Sequence, residues 1–135
     1  MERRFQTHVL ELVERERTAV GRLQVTAFPV MHASGAPAHA YRVEIAGRTV
    51  AYSGDTEWCE SLVEAAAGAD VFIAEAYTFE REVKFHLPFA ALQANRDRLA
   101  CQRTVLTHMS ADMLERRGEV GEGYVCAEDG LVLRL

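Results

Sequence analysis

The sequence predicts an α/β (α+β) fold, a mixed β-sheet with helices packed on one face. Two adjacent segments, YRVEIAG and RTVAYSG, read as a hairpin, because Tyr41, Val43 and Ile45 alternate with Arg42 and Glu44 around an Ala46-Gly47 turn. The run VFIAEA (71–76) is the kind of continuous apolar stretch that a central strand buried on both faces requires. After residue 53, helical and strand patterns alternate, which favours helices layered on a sheet. The 135 residues, 49% hydrophobic and 26% charged, fit one domain (1–135) large enough to bury a core without staples.

Taken in order, FQTHVLELV (5–13) alternates like a strand, although ELVERERTAV also fits a helical turn. Gly21 breaks it. LQVTAFPV (23–30) is a strand whose Pro29 marks an edge or an exit. MHASGAPAHA (31–40) is a loop of small residues, Gly and Pro. The hairpin follows, then a helix with Asp55 or Thr56 as N-cap and Trp58, Leu62, Val63 and Ala66 as its apolar stripe. Gly68 ends that helix. Asp70 leads into the buried strand. Residues 77–88 are irregular, and 88–100 form a helix with Pro88 in its first turn. RTVLTHMS (103–110) is another apolar strand with a polar tip. ADMLERRG is a short helix. GYVCAEDGLVLRL closes as a hairpin around Glu-Asp-Gly. No repeat, low-complexity tract or linker interrupts the chain.

The net charge of −5 argues against a dedicated nucleic-acid surface. Three widely spaced cysteines without a CxxC pair read as buried, reduced thiols of a cytoplasmic protein. No apolar run reaches the roughly 20 residues of a membrane span, and residues 1–16 carry charge without the apolar region of a secretory signal.

Three strands end alike. Strand 23–30 runs into Met31-His32, the hairpin's second strand into Gly54-Asp55, and strand 103–107 into His108. If the strands point the same way, two imidazoles and a carboxylate meet at one sheet edge. That set suits a borderline cation such as zinc, with water completing the shell. Each residue also has a purely structural reading: Asp55 as a helix cap, His32 as a hydrogen-bonded surface histidine, His108 as a turn cap. The spacings are too wide for a local metal motif.

FPVMHASGAPAHAYRVEIAGRTVAYSGDTEW, then GADVFIAEA, then RTVLTHMS, together resemble the C-terminal half of a metallo-β-lactamase-fold hydrolase of the ribonuclease-Z-like branch. The resemblance spans about residues 22–110. It implies half of an αββα sandwich and a metal-dependent hydrolase in which metal-activated water attacks an ester, lactone, amide or phosphodiester of a small-molecule substrate. It implies metal ligation by His32, Asp55 and His108, with Asp55 bridging a two-zinc site (manganese or iron being alternatives). His86, in VKFHLPFAAL, resembles a histidine of related hydrolases that contacts substrate or assists proton transfer; it is the catalytic candidate, the other reading being a cap on the helix at Pro88. Asp70 and Glu75 read as structural.

The family's leading signature, HxHxDH, is absent: the chain contains no HxH and no DH. This predicts a module that is incomplete alone, a truncated domain, with one apolar sheet face uncovered. Such a face favours a homo-oligomer, strand exchange or pairing with a complementary N-terminal half. A non-catalytic assembly module is the alternative function. Ribonuclease Z carries a histidine where Ala74 stands here, which argues against tRNA 3′ processing.

Overall fold

The computed structural model describes residues 5–135. Seven strands form one sheet in sequential order: β1 (Thr18–Val20), β2 (Leu23–Pro29), β3 (His39–Ile45), β4 (Arg48–Tyr52), β5 (Val71–Glu75), β6 (Thr104–Thr107) and β7 (Tyr124–Cys126). The first four make an antiparallel meander, and β4 to β7 run parallel. The parallel steps require crossovers. These hold α1 (Glu60–Ala66), then α2 (Phe89–Ala94) and α3 (Arg96–Leu99), then α4 (Ala111–Glu115) with a short 3-10 turn. The expected α/β class, a mixed sheet with few helices, is what is found.

The helices pack on one face. Thr26, Arg42, Ala51, Phe72, Thr104 and Tyr124 are aligned across the sheet by register. Arg42 donates to the carbonyls of Ala65 and Ala67 at the end of α1, where C-terminal carbonyls lack helical partners. Phe28, Ala51, Phe72, Ala74 and Leu106 from the strands meet Leu62, Leu92, Leu99 and Met113 from the helices in one buried cluster.

The opposite face carries no helix from these crossovers. Its register rows are Ala27, Tyr41, Tyr52, Ile73, Val105 and Val125, and Val25, Val43, Val50 and Val71. Tyr52 is exposed, and Tyr41, Val43, Val50 and Ile73 are only partly buried. Val25, Ala27, Val71 and Val105 in the same rows are buried, so this apolar face is exposed only in part among the described residues.

Four expectations need correction. Residues 5–13 form no strand. Arg15 adopts the left-handed region (φ 61°) and its amide donates to Ala27 at 2.8 Å, while β1 takes the edge of β2 in register with Val25. The first helix begins at Glu60 with Cys59 as N-cap, because the backbone amide and hydroxyl of Thr56 are committed elsewhere. The helix expected over 88–100 is split at Asn95, whose side-chain amide donates to the Ala91 carbonyl. The closing hairpin is absent. The turn forms, with Leu131 N–H donating to Glu128, but β7 is only three residues long and pairs in parallel with β6, so the tail has no antiparallel ladder to extend.

Asp70 is structural, as expected. It accepts from the Thr49 amide at 2.8 Å and from Arg48 at 3.1 Å, tying β4 to the start of β5. The Thr49 amide, then the Arg48 guanidinium, hold its carboxyl below the usual range, against the opposing effect of burial. A depressed folded value gives stabilisation that is complete above the unfolded pKa of about 3.9 and is lost as pH falls through the folded value. Asp70→Asn is expected to flatten the acid limb of the melting temperature below about pH 4. Thermal scans check this; a limb identical to wild type would remove Asp70 from the acid response.

Candidate metal centre

β2 and β4 are both antiparallel to β3 and so run the same way, and β5 and β6 run parallel to β4. All four strands deliver their C-terminal ends to one edge, the usual location of sites in open α/β sheets. His32, Asp55, Glu75 and His108 stand at or just beyond those ends. The loop between β5 and α2 adds His86.

The turn after β4 is fixed by backbone. Gly54 has φ 62°, and a Cβ there would lie 2.9 Å from the His39 carbonyl oxygen, so glycine serves both the conformation and the close approach. On either side, the Ser53 hydroxyl accepts the Glu75 amide at 2.8 Å and the Thr56 amide donates to Glu75 Oε2 at 2.8 Å. Thr56 Oγ1 also accepts the Met31 amide at 3.0 Å, which joins the exits of β2 and β4. Asp55 is thereby presented to His108, whose Nε2 lies 3.5 Å from Asp55 Oδ2. Asp55 is not a helix cap.

The imidazoles are oriented. His32 Nδ1 lies 3.0 Å from the Phe85 carbonyl oxygen. A carbonyl only accepts, so Nδ1 carries the proton, and in the neutral imidazole it is Nε2 that holds the lone pair. Phe85 is held in the left-handed region (φ 67°), with its amide donating to Glu57 at 2.7 Å. His86 Nδ1 bonds to Glu75 Oε1, which likewise leaves Nε2 free. A ring nitrogen bonded to a carbonyl or carboxylate is how metal-ligating histidines have their tautomer set. His108 adopts φ 54°, which turns its side chain out of the β6 line.

Two donor groups result, each with ligand atoms within 4.8 Å of one another: His32, Asp55 and His86, and Glu75, His86 and His108. The expected trio of His32, Asp55 and His108 is not itself one of these groups; His86, expected as the catalytic residue, stands in both. His86 does not cap the helix at Pro88, whose N-terminus has no side-chain cap.

Two members of the site were missed in the sequence. Glu75 is buried to 1% exposure and joins β4, β5 and the His86 loop through Thr56, His86 and Leu87. The signal was there: a lone carboxylate in an otherwise apolar buried run needs partners. Tyr77 lies in the segment that reads only as irregular. Its ring stacks on His86 and His108, with centroids 4.4 and 5.5 Å away. Its backbone bonds to Leu87 and Ser110, each at 2.8 Å, so one residue braces both histidine loops.

The local field is negative. The Tyr52 phenol is held above its ordinary pKa, first by burial and then by the Asp55 and Glu75 carboxylates. Such a field favours a bound cation.

A mixed sheet thus gathers imidazoles and carboxylates at its C-terminal edge, the donor types that bind a borderline cation. The chain belongs to the beta-lactamase superfamily: the model of the beta-lactamase superfamily domain matches residues 1–109. It is 31% identical over 101 residues to ribonuclease Z of Methanosarcina acetivorans, covering 66% of this chain and 33% of that protein. Its fold is similar to that of the metallo-beta-lactamase fold protein YhfI from Bacillus subtilis, with TM-score 0.74 and 20% identity over 91% of this chain and 54% of the other. The zinc-bound PqqB of Methylobacterium extorquens matches with TM-score 0.68 and 22% identity, over 92% and 55%. The chain spans about a third of the length of the curated relatives it matches.

Proposed function

We propose that this chain is a metal-dependent hydrolase module acting on a small-molecule ester, lactone, amide or phosphodiester. The observation that carries the reading is the cluster in which His32 and His86 both present a free Nε2 beside Asp55. The donors fit a zinc-class cation: imidazole and carboxylate are its ligands, and neighbouring donors in a tetrahedral shell of ~2 Å bonds lie roughly 3.3 Å apart, close to the 3.5 Å between Asp55 and His108. His32, Asp55 and His108 would hold the metal, with Asp55 Oδ2 3.5 Å from His108 Nε2. When bound, the metal supplies Lewis-acid polarisation and an activated water.

The remaining chemistry is the chain's own. His86, with Nδ1 on Glu75, offers the Nε2 lone pair to take the proton released by the attacking water and then deliver it to the departing atom. Glu75 fixes its tautomer, and Tyr77 limits its tilt. The test is a zinc-loaded substrate panel of an aryl ester, a lactone and an aryl phosphodiester, with His86→Ala as comparison. Turnover per bound zinc reduced roughly 10²-fold or more in the variant is expected. Equal turnover would remove His86 from the chemistry.

The uncovered sheet face supports a partner as part of the same proposal: a second apolar sheet, from another copy of the chain or a complementary N-terminal half. Facing sheets pack about 10 Å apart through such rows of side chains. Light scattering is expected to give a mass above that of one chain, falling toward the monomer in Val43→Lys. A wild-type monomer at every concentration would dispose of self-association.

A further inference from the structure

We propose that the cleft beside His86 is the leaving-group pocket of this site and that it takes a flat, uncharged group of one or two aromatic rings. The inference rests on the hydrolase reading and adds the substrate class to it. The cleft has a volume of about 530 Å³ and is walled by Trp58, Val83, His86, Pro88 and Ala91. That volume lies in the range of small-molecule sites.

His86 belongs to both the cleft and the metal cluster. Its ring centroid is 5.4 Å from that of His32 and 5.5 Å from that of His108, and its Nδ1 is engaged by Glu75. In hydrolysis the atom that needs a proton is the departing one. A substrate piece lying against His86 in this cleft is therefore the piece that leaves, while the electrophilic centre lies on the cluster side.

The wall chemistry selects the group. Indole, proline ring, valine and alanine offer apolar contact without a donor array for a sugar or a base edge. Trp58 is braced, with the Arg98 guanidinium 5.9 Å from its ring and Arg98 paired with Glu60. The charges around the cleft are two carboxylates, Glu57 and Glu82, against one ammonium, Lys84. Glu57 is spent on the Phe85 amide, and Lys84 lies 4.8 Å from the Phe85 ring centroid. No surplus of positive charge is left for an anionic leaving group such as a nucleotide.

Trp58 is the chain's single tryptophan, so its emission reports on the cleft directly. The experiment titrates the full chain with 4-methylphenol and, separately, uridine monophosphate, and measures zinc uptake on the same preparation. A saturable change with 4-methylphenol and none with the nucleotide is expected. Ala91→Phe, which fills the cleft from α2, and Val83→Glu, which adds a third carboxylate, should each weaken the response at least tenfold. Circular dichroism identifies which variants are folded, and either folded variant suffices. No saturable change in wild type, an unweakened response in a folded variant, or tighter binding of the nucleotide overturns the pocket. Zinc uptake without a phenol response overturns the pocket alone. A phenol response without zinc uptake overturns the leaving-group assignment together with the hydrolase reading, since no hydrolytic centre then adjoins the cleft.

Discussion

Asp55→Ala is expected to lower the zinc affinity of this chain by more than the roughly 10–100-fold typical of losing an outer-shell partner, and Asp55→Ala with His108→Ala to abolish stoichiometric binding. The argument is geometric. Ser53 and Thr56 are pinned to Glu75, and Gly54 allows the turn to approach His39. Asp55 is the member of this turn whose carboxylate faces His108, at 3.5 Å. Removing it takes away an anionic donor and leaves Glu75, 3.8 Å from His108 Nε2 and already engaged by His86, as the cluster's remaining carboxylate. Because the turn is held by its neighbours, the variant should keep its fold, and circular dichroism should match wild type. Competition with a chromophoric chelator, with elemental analysis after dialysis, measures the change. Undiminished zinc in the double variant would place any metal elsewhere and remove the cluster as the site.

Much of this was legible in the sequence because strand tips are a topological feature. The hairpin signal around Ala46-Gly47 gives β3 antiparallel to β4; that β2 runs with β4 is a condition of the sequence reading that the structure supplies. The apolar run VFIAEA gives a central strand whose end lies beside theirs. The positions of His32, Asp55 and His108 at one edge follow from those pairings. The linking elements were not legible for the same reason: they are set by contacts distant in sequence. Thr56 reads locally as a cap, yet its amide is taken by Glu75, nineteen residues away. Residues 5–13 alternate like a strand, but the register of β1 on β2 and the left-handed Arg15 decide otherwise. His86 sits in an irregular segment with no period to read, and only the fold shows that its partner is Glu75. On the sheet face that carries no crossover helix, Tyr41, Val43, Val50 and Ile73 remain partly exposed, a feature the alternating strand patterns made legible.

Glu75→Gln is expected to leave the fold intact and reduce hydrolysis roughly 10²–10⁴-fold by reversing the tautomer of His86. Two buried amides, Thr56 and Leu87, donate to Glu75 Oε2 at 2.8 and 3.3 Å. A glutamine satisfies them only with its carbonyl oxygen in that position. Its NH2 then faces His86 Nδ1, which must accept. The proton moves to Nε2, the nitrogen that the wild-type arrangement leaves free. The substitution thus exchanges one hydrogen atom's position for the loss of the lone pair that the site needs. Glu75→Ala separates this effect from simple damage: it orphans both buried amides, at about 1–3 kcal/mol each, and should lower the melting temperature sharply where Glu75→Gln does not. Imidazole nitrogen chemical shifts read the tautomer directly. Nε2 of His86 should change from the unprotonated to the protonated range in Glu75→Gln, with His32 unchanged because its Nδ1 bonds to the Phe85 carbonyl. If the His86 shifts stay as in wild type while activity falls, Glu75 acts through charge at the cluster, 3.8 Å from His108 Nε2, and not through the tautomer.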